Sequence, residues 1–198
     1  IRALRDPNNP AQPIGPVWMA EVGRDLTALG GVAVLVLVTA IVGAFFGLTR
    51  RYPEMYFVFI AAIGGLLISV ALKALVSRPR PDIVPHLSHV YTSSFPSGHS
   101  MMSATVYLTL GMLLARFVKQ RRLKFYFLIV AVLLTCLVGT SRVYMGVHYP
   151  TDVLAGCLAG LVWALLCWLT AGYLIPSHRL KQDRAESSSP RVEREVPQ

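Results

Sequence analysis

The chain predicts an all-α protein, a polytopic transmembrane helix bundle. Five apolar stretches, none with an internal proline, alternate with short polar loops. Of the 198 residues, 54% are hydrophobic and only 15% charged, with a mean hydropathy of +0.54. A soluble domain of this length rarely combines such a low charged fraction with such long apolar runs.

A bilayer crossing needs roughly 20 residues at a rise of about 1.5 Å each. On that measure the spans read as 26–48, 55–75, 98–118, 125–140 and 153–175. The fourth is short and borrows Leu123 and Ser141 from its flanks. Gly43 with Gly47, and Gly156 with Gly160, have the four-residue spacing that lets helices approach closely in lipid. Cys136, Cys157 and Cys167 all fall inside apolar stretches. They read as buried packing, with neither a disulfide framework nor a metal site behind them.

Charge orders the loops. Arg50 and Arg51 form one basic loop, Lys119, Arg121, Arg122 and Lys124 a second, and Arg179, Lys181 and Arg184 follow the last span. All three fall on one side, which the positive-inside bias makes cytoplasmic. The opposite side also carries Lys73, Arg78, Arg80 and Arg142, read as cations held for function. The net charge of +9 does not point to nucleic acid, because the cations sit in short loops and form no single basic face.

Residues 1–25 form an outer loop, Pro-rich and then mildly amphipathic through Val17, Trp18, Met19 and Val22. That segment is either an interfacial helix beside the site or an ordinary loop. Residues 26–175 form the transmembrane domain, and residues 176–198 a polar tail with the composition of disorder.

Three clusters at the ends of spans lie on the outer side. The first is Lys73 with Arg80-Pro81. A lysine at the end of a span ordinarily snorkels to the headgroups. Here Arg78-Pro79-Arg80-Pro81 follows, and its two prolines stiffen an extended turn that aims guanidinium forks, which match phosphate oxygens. Arg78 reads as a headgroup contact outside the core site.

The second cluster is Pro96-Ser97-Gly98-His99. Ser97 is placed as a helix N-cap, and Gly98 lets a ligand approach the backbone. The free N–H groups of the first turn then make a seat for an anion, with His99 projecting beside it.

The third is Ser141-Arg142 with His148 and Asp152. His148 and Asp152 are four apart, so a helical turn brings them to one face, and Pro150 suits the first turn of that helix. A carboxylate on one imidazole nitrogen fixes the tautomer and leaves the other nitrogen nucleophilic. Two more histidines, His86 and His89, share the loop between the first two clusters, but two ligands make a poor metal site.

Lys73–x6–Arg80-Pro81, Pro96-Ser97-Gly98-His99 and Ser141-Arg142–x5–His148–x3–Asp152 resemble the three signature motifs of the type 2 phosphatidic acid phosphatase superfamily, which includes vanadium haloperoxidases. The match runs from Lys73 to Asp152, and three motifs in order are far more specific than any one alone.

The resemblance implies that His148 is the nucleophile forming a phosphohistidine and that Asp152 orients it. It implies that His99 is the acid for the leaving oxygen and then the base for water. Lys73, Arg80, Ser97, Gly98 and Arg142 would cradle the phosphate, with no metal or other cofactor. Membrane members usually have six spans, so a sixth is expected upstream of Ile1.

The function expected is hydrolysis of a phosphate monoester or diphosphate on a lipid, in a bacterial inner membrane with the site facing outward. Phosphatidic acid, phosphatidylglycerophosphate and undecaprenyl diphosphate are the candidate partners. Lipid phosphotransfer is an alternative, distinguished by a phosphorylated acceptor in place of free phosphate. A vanadate-dependent haloperoxidase fits five spans poorly, and a non-catalytic lipid-binding protein fits an intact set of motifs poorly.

Overall fold

The computed structural model describes residues 2–7, 9, 11–81 and 93–174. Among them are six α-helices and no strands: α1 Val17–Leu29, α2 Val32–Leu48, α3 Tyr52–Leu75, α4 Gly98–Phe117, α5 Arg121–Tyr144 and α6 Pro150–Leu174. Helices α3, α4, α5 and α6 are each long and apolar enough to cross a membrane, and α1 with α2 makes a fifth crossing if the pair is one span.

That pair corrects the expected first span of 26–48. The chain bends by 45° between α1 and α2, at Gly30 and Gly31. The cause is close packing as well as glycine's poor helix propensity. A Cβ on Gly30 would lie 2.4 Å from Val138 Cγ1 and 3.3 Å from the His99 carbonyl oxygen. The corner therefore sits directly on α4 and α5.

Helix α1 lies along α5, held by the 2.7 Å bond between the Thr27 and Ser141 hydroxyls. The chain before it is tied to the same place. Buried Arg5 donates to the Tyr144 carbonyl at the end of α5, and the Tyr144 hydroxyl donates to the Ile14 carbonyl at 2.9 Å.

Helix α4 is the hub and packs against α2, α3, α5 and α6. Of its membrane window 56% is buried, against 22% to 28% for α3, α5 and α6. This accounts for its composition. Ser100, Ser103, Thr105 and Thr109 are all buried, and they are tolerated because they face protein and not lipid.

The Gly156/Gly160 pair brings backbone onto backbone between α6 and α4. A Cβ at Gly156 would stand 2.6 Å from the Ser97 carbonyl oxygen, and one at Gly160 would stand 2.4 Å from that of Met101. Bare backbone on α6 thus lies on the first turns of α4, which fixes the start of α6 against Ser97.

Helix α5 is longer than the expected 125–140, because Arg121, Arg122 and Lys124 form its first turn and do not lie in a loop. Cys136 on α5 is exposed, so it does not pack in the core as expected; Cys157 is half-buried and Cys167 buried, and all three are free thiols. His86, His89, Arg179, Lys181, Arg184 and the 176–198 tail lie outside the described residues.

Candidate active site

The site is built where three polypeptide segments meet at one end of the bundle. The first is the end of α3 with the turn after it, the second the start of α4, and the third the end of α5 with the approach to α6.

Ser97 caps α4. Its hydroxyl accepts from Ser100 N–H at 3.5 Å and from the Ser100 hydroxyl at 2.9 Å. Its own N–H donates to the Asp152 carbonyl at 3.0 Å, so the second and third motifs are stitched through backbone. Ser97 is fully buried, and its visible work in this state is the cap. Gly98 leaves room for Lys73, whose Cε lies 3.4 Å from where a Cβ would be. The Lys73 ammonium donates to the Ser93 carbonyl at 3.0 Å.

His148 lies in the turn before α6, two residues ahead of the helix's first residue and so outside the helical turn expected for it. It still meets Asp152: Nδ1 is 3.6 Å from Oδ2. The helix begins at Pro150, as its fixed φ favours. The Asp152 carboxylate folds back to accept the Tyr149 N–H at 3.1 Å, which holds the turn on the helix. Ser94 completes the contact. Its hydroxyl donates to Asp152 Oδ2 at 2.6 Å and lies 3.4 Å from His148 Nδ1. Both acceptors sit on the Nδ1 side of the ring, which places the imidazole proton there and leaves the Nε2 lone pair free.

The remaining motif residues converge on that ring. Burial, followed by the charges of Arg142, Arg80, Lys73 and His99, pulls the His148 imidazole from its ordinary 6.5 down to about 3. His148 is 1% exposed. It is a neutral base walled in by cations, suited to attack an anion that those cations hold. Arg80 is pushed below the usual arginine range, chiefly by burial. Arg142 Nε is buried and has no hydrogen-bond partner among the described residues. An orphaned guanidinium N–H in a nest of cations is a seat for an oxyanion.

His148, His99, Asp152, Lys73, Arg80, Ser97, Gly98 and Arg142 are thus brought to one place. Two residues that sequence reasoning set aside or passed over join them. Arg78, read as a headgroup contact, donates from Nη1 to Asp152 Oδ1 at 2.8 Å. Ser94 was not singled out at all. The available signal was electrostatic: a fully buried Asp152 needs a cation, and a neutral histidine does not supply one.

Among the described residues no group of three or more His, Cys, Asp or Glu side chains could hold a metal ion. A hollow of about 270 Å³ between Pro53, Tyr56, Phe57, Ile60 and Cys167 lies at the far end of α3 and α6, away from this chemistry.

A helical membrane bundle with a cationic pocket around a neutral, oriented histidine defines a phosphoryl-transfer enzyme working at the bilayer. The comparisons with known proteins agree. Residues 53–176 match the PAP2 superfamily, and the chain belongs to that superfamily. It is 36% identical over 168 residues to phosphatidylglycerophosphatase B of Bacillus subtilis, across 83% of this chain and 80% of that one. It is 27% identical over 136 residues to undecaprenyl-diphosphatase BcrC of the same organism, across 66% and 65% of the two chains. The crystal structure of a transmembrane PAP2-type phosphatidylglycerolphosphate phosphatase from Bacillus subtilis superposes with a TM-score of 0.75. It shares 34% identity and covers 84% of this chain and 82% of that one.

Proposed function

We propose that this integral membrane lipid phosphatase acts on phosphatidylglycerophosphate, releasing inorganic phosphate and phosphatidylglycerol. The reading rests on one observation above all: three cations and a second histidine, His99, converge on a His148 held neutral with Nε2 free. The likeness to phosphatidylglycerophosphatase B over four-fifths of both chains favours that lipid over a diphosphate.

In the proposed reaction, Lys73, Arg80 and Arg142 bind the terminal phosphate, with the first N–H groups of α4 behind Gly98. The orphaned Arg142 Nε takes a phosphate oxygen. His148 Nε2 attacks phosphorus, the bond from phosphorus to the lipid oxygen breaks, and His99 gives that oxygen a proton. Asp152 and Ser94 steady the Nδ1 proton as the ring becomes cationic. Water then donates a proton to His99 and attacks the phosphohistidine, which frees phosphate and restores His148.

The same reading places the protein in a bacterial inner membrane with the site outward. Arg50, Arg51, Arg116, Arg121, Arg122 and Lys124 all lie at the far end of the bundle, the side favoured for the cytoplasm. Helix α1, with Val17, Trp18, Met19 and Val22 exposed, would lie in the interface beside the site.

The test is phosphate release by the full chain in detergent, with EDTA present. Phosphatidylglycerophosphate, phosphatidic acid and undecaprenyl diphosphate would each be offered. Fastest release from the first is the expected result. Preference for either of the others would overturn the substrate, and transfer to an added lipid acceptor in place of water would overturn hydrolysis.

A further inference from the structure

We propose that Arg78 is a positioning residue of this site, acting on His148 through Asp152; the inference rests on the nucleophilic role proposed for His148. Arg78 is held through both its backbone and its guanidinium, with 37% of its side chain exposed. Its N–H donates to the Ser93 hydroxyl at 3.2 Å, and its carbonyl accepts from Ser94 N–H at 2.9 Å. Its guanidinium lies over the Tyr149 ring, 4.4 Å from the centroid. Nη1 is shared between Asp152 Oδ1 at 2.8 Å and the Thr151 hydroxyl at 2.9 Å. One side chain thus ties the turn after α3 to the first turn of α6.

The carboxylate it holds is gripped at both oxygens. Arg78 takes Oδ1; the Ser94 hydroxyl and the Tyr149 N–H take Oδ2, the oxygen that faces His148 Nδ1. A carboxylate with no exposed surface must be neutralised or paired. If Arg78 were absent, the nearest cations would be those that surround His148, and Asp152 would draw one of them out of the phosphate cradle. Arg78 therefore does two things at once. It fixes the rotation of the carboxylate that aims His148, and it pairs that carboxylate with a cation of its own.

This separates Arg78 from a phosphate ligand in a measurable way. A ligand contributes to binding, whereas a positioning residue contributes to turnover and only while Asp152 is present. The full chain in detergent would be assayed on short-chain phosphatidylglycerophosphate as wild type, Arg78→Lys, Arg78→Gln, Asp152→Asn and the double variant Arg78→Gln/Asp152→Asn.

Expected for Arg78→Gln is a kcat loss of roughly 10- to 100-fold, with KM within about threefold of wild type. Arg78→Lys should recover part of the loss, and the double variant should be no more than about threefold slower than Asp152→Asn alone. A raised KM at unchanged kcat, or losses that multiply in the double variant, would overturn the proposal and make Arg78 a substrate contact.

A second readout needs no substrate. In a ¹⁵N-histidine spectrum of the full chain, Arg78→Gln should shift the His148 Nδ1 resonance, and an unmoved resonance would refute the coupling. A wild type that releases no phosphate while the shift is present would count against the function proposed above and not against this one.

Discussion

Arginine does opposite work at the two ends of the bundle. At the far end, Arg51 lies 4.9 Å from the centre of the Phe117 ring, and Arg116 lies 5.8 Å from that of Trp168. Around them Phe46 stacks on Phe117 and Phe57 meets Trp168 edge-on, over a core of Val58, Ala61, Leu113 and Cys167. Cation–ring contacts of that kind contribute about 0.5–2 kcal/mol each and leave little charge seeking a partner.

At the site end Arg78 also lies over a ring, that of Tyr149, but its charge has a further role. Arg78 engages a carboxylate, and Arg142 keeps a buried N–H without an acceptor among the described residues. The far end is finished as it stands, whereas the site end carries positive charge that an anionic ligand would complete. Stability and catalysis therefore depend on different ends, and substitutions can separate them.

The largest expected effect is at the site end. His148→Ala should lose turnover by roughly a thousandfold or more because it removes the nucleophile, and since His148 is fully buried a melt in detergent must show the variant folded at the assay temperature. Near-normal phosphate release would remove His148 from the chemistry.

Phe57→Ala is the mirror case. Phe57 is buried in the far-end cluster, so its removal should cost about 3–5 kcal/mol of stability. The folded fraction, measured below the melting point, should keep kcat within about threefold. A kcat that collapses with intact fold would show that the two ends are coupled.

A pair of glycines on α6 sharpens the contrast. Gly156→Ala drives a methyl into the Ser97 backbone at the site end, which should cost about 1–3 kcal/mol and displace Asp152 from His148. Gly172→Ala has nothing among the described residues within 4 Å of the added Cβ and should be neutral or stabilising by up to about 1 kcal/mol. Thermal melts and kcat of the two variants give the comparison on one helix.

A further predicted effect is in pH. The native His148 titrates near 3 and the unfolded one near 6.5, so between those values the unfolded chain binds the extra proton. Stability is thus lost as pH falls through that window, by about 2 kcal/mol from pH 7 to pH 5. Arg142, Arg80, Lys73 and His99 face the ring as cations or potential cations, and Asp152 with its partner Arg78 is the opposing pair. Melting curves of His148→Asn should lack that share of the acid sensitivity, and an identical pH dependence would mean that His148 titrates normally.

Much of this was legible in the sequence because the chemistry sits in short local motifs. The spacings around Lys73, Ser97 and His148 identified eight residues, and the structure gathers them. The apolar runs located α3, α4 and α6 nearly to their ends. Other features depend on partners distant in the chain. Arg78 reaches across 74 positions to Asp152, and no window around Arg78 contains that carboxylate. Gly30 and Gly31 are visible in the sequence, but a hydropathy window runs smoothly over them, and the bend comes from contact with Val138 and His99. The first turn of α5 was missed because basic residues read as loop, although a lysine or arginine can stay helical and snorkel.

The most direct test of the account is to trap the covalent intermediate. The full chain would be mixed with lipid labelled in its terminal phosphate, quenched within milliseconds in alkali, and digested for peptide mapping. The account predicts an acid-labile, alkali-stable label on the peptide carrying His148, absent from His148→Ala. Label on another residue, or phosphate release with no labelled histidine at any time, would contradict it.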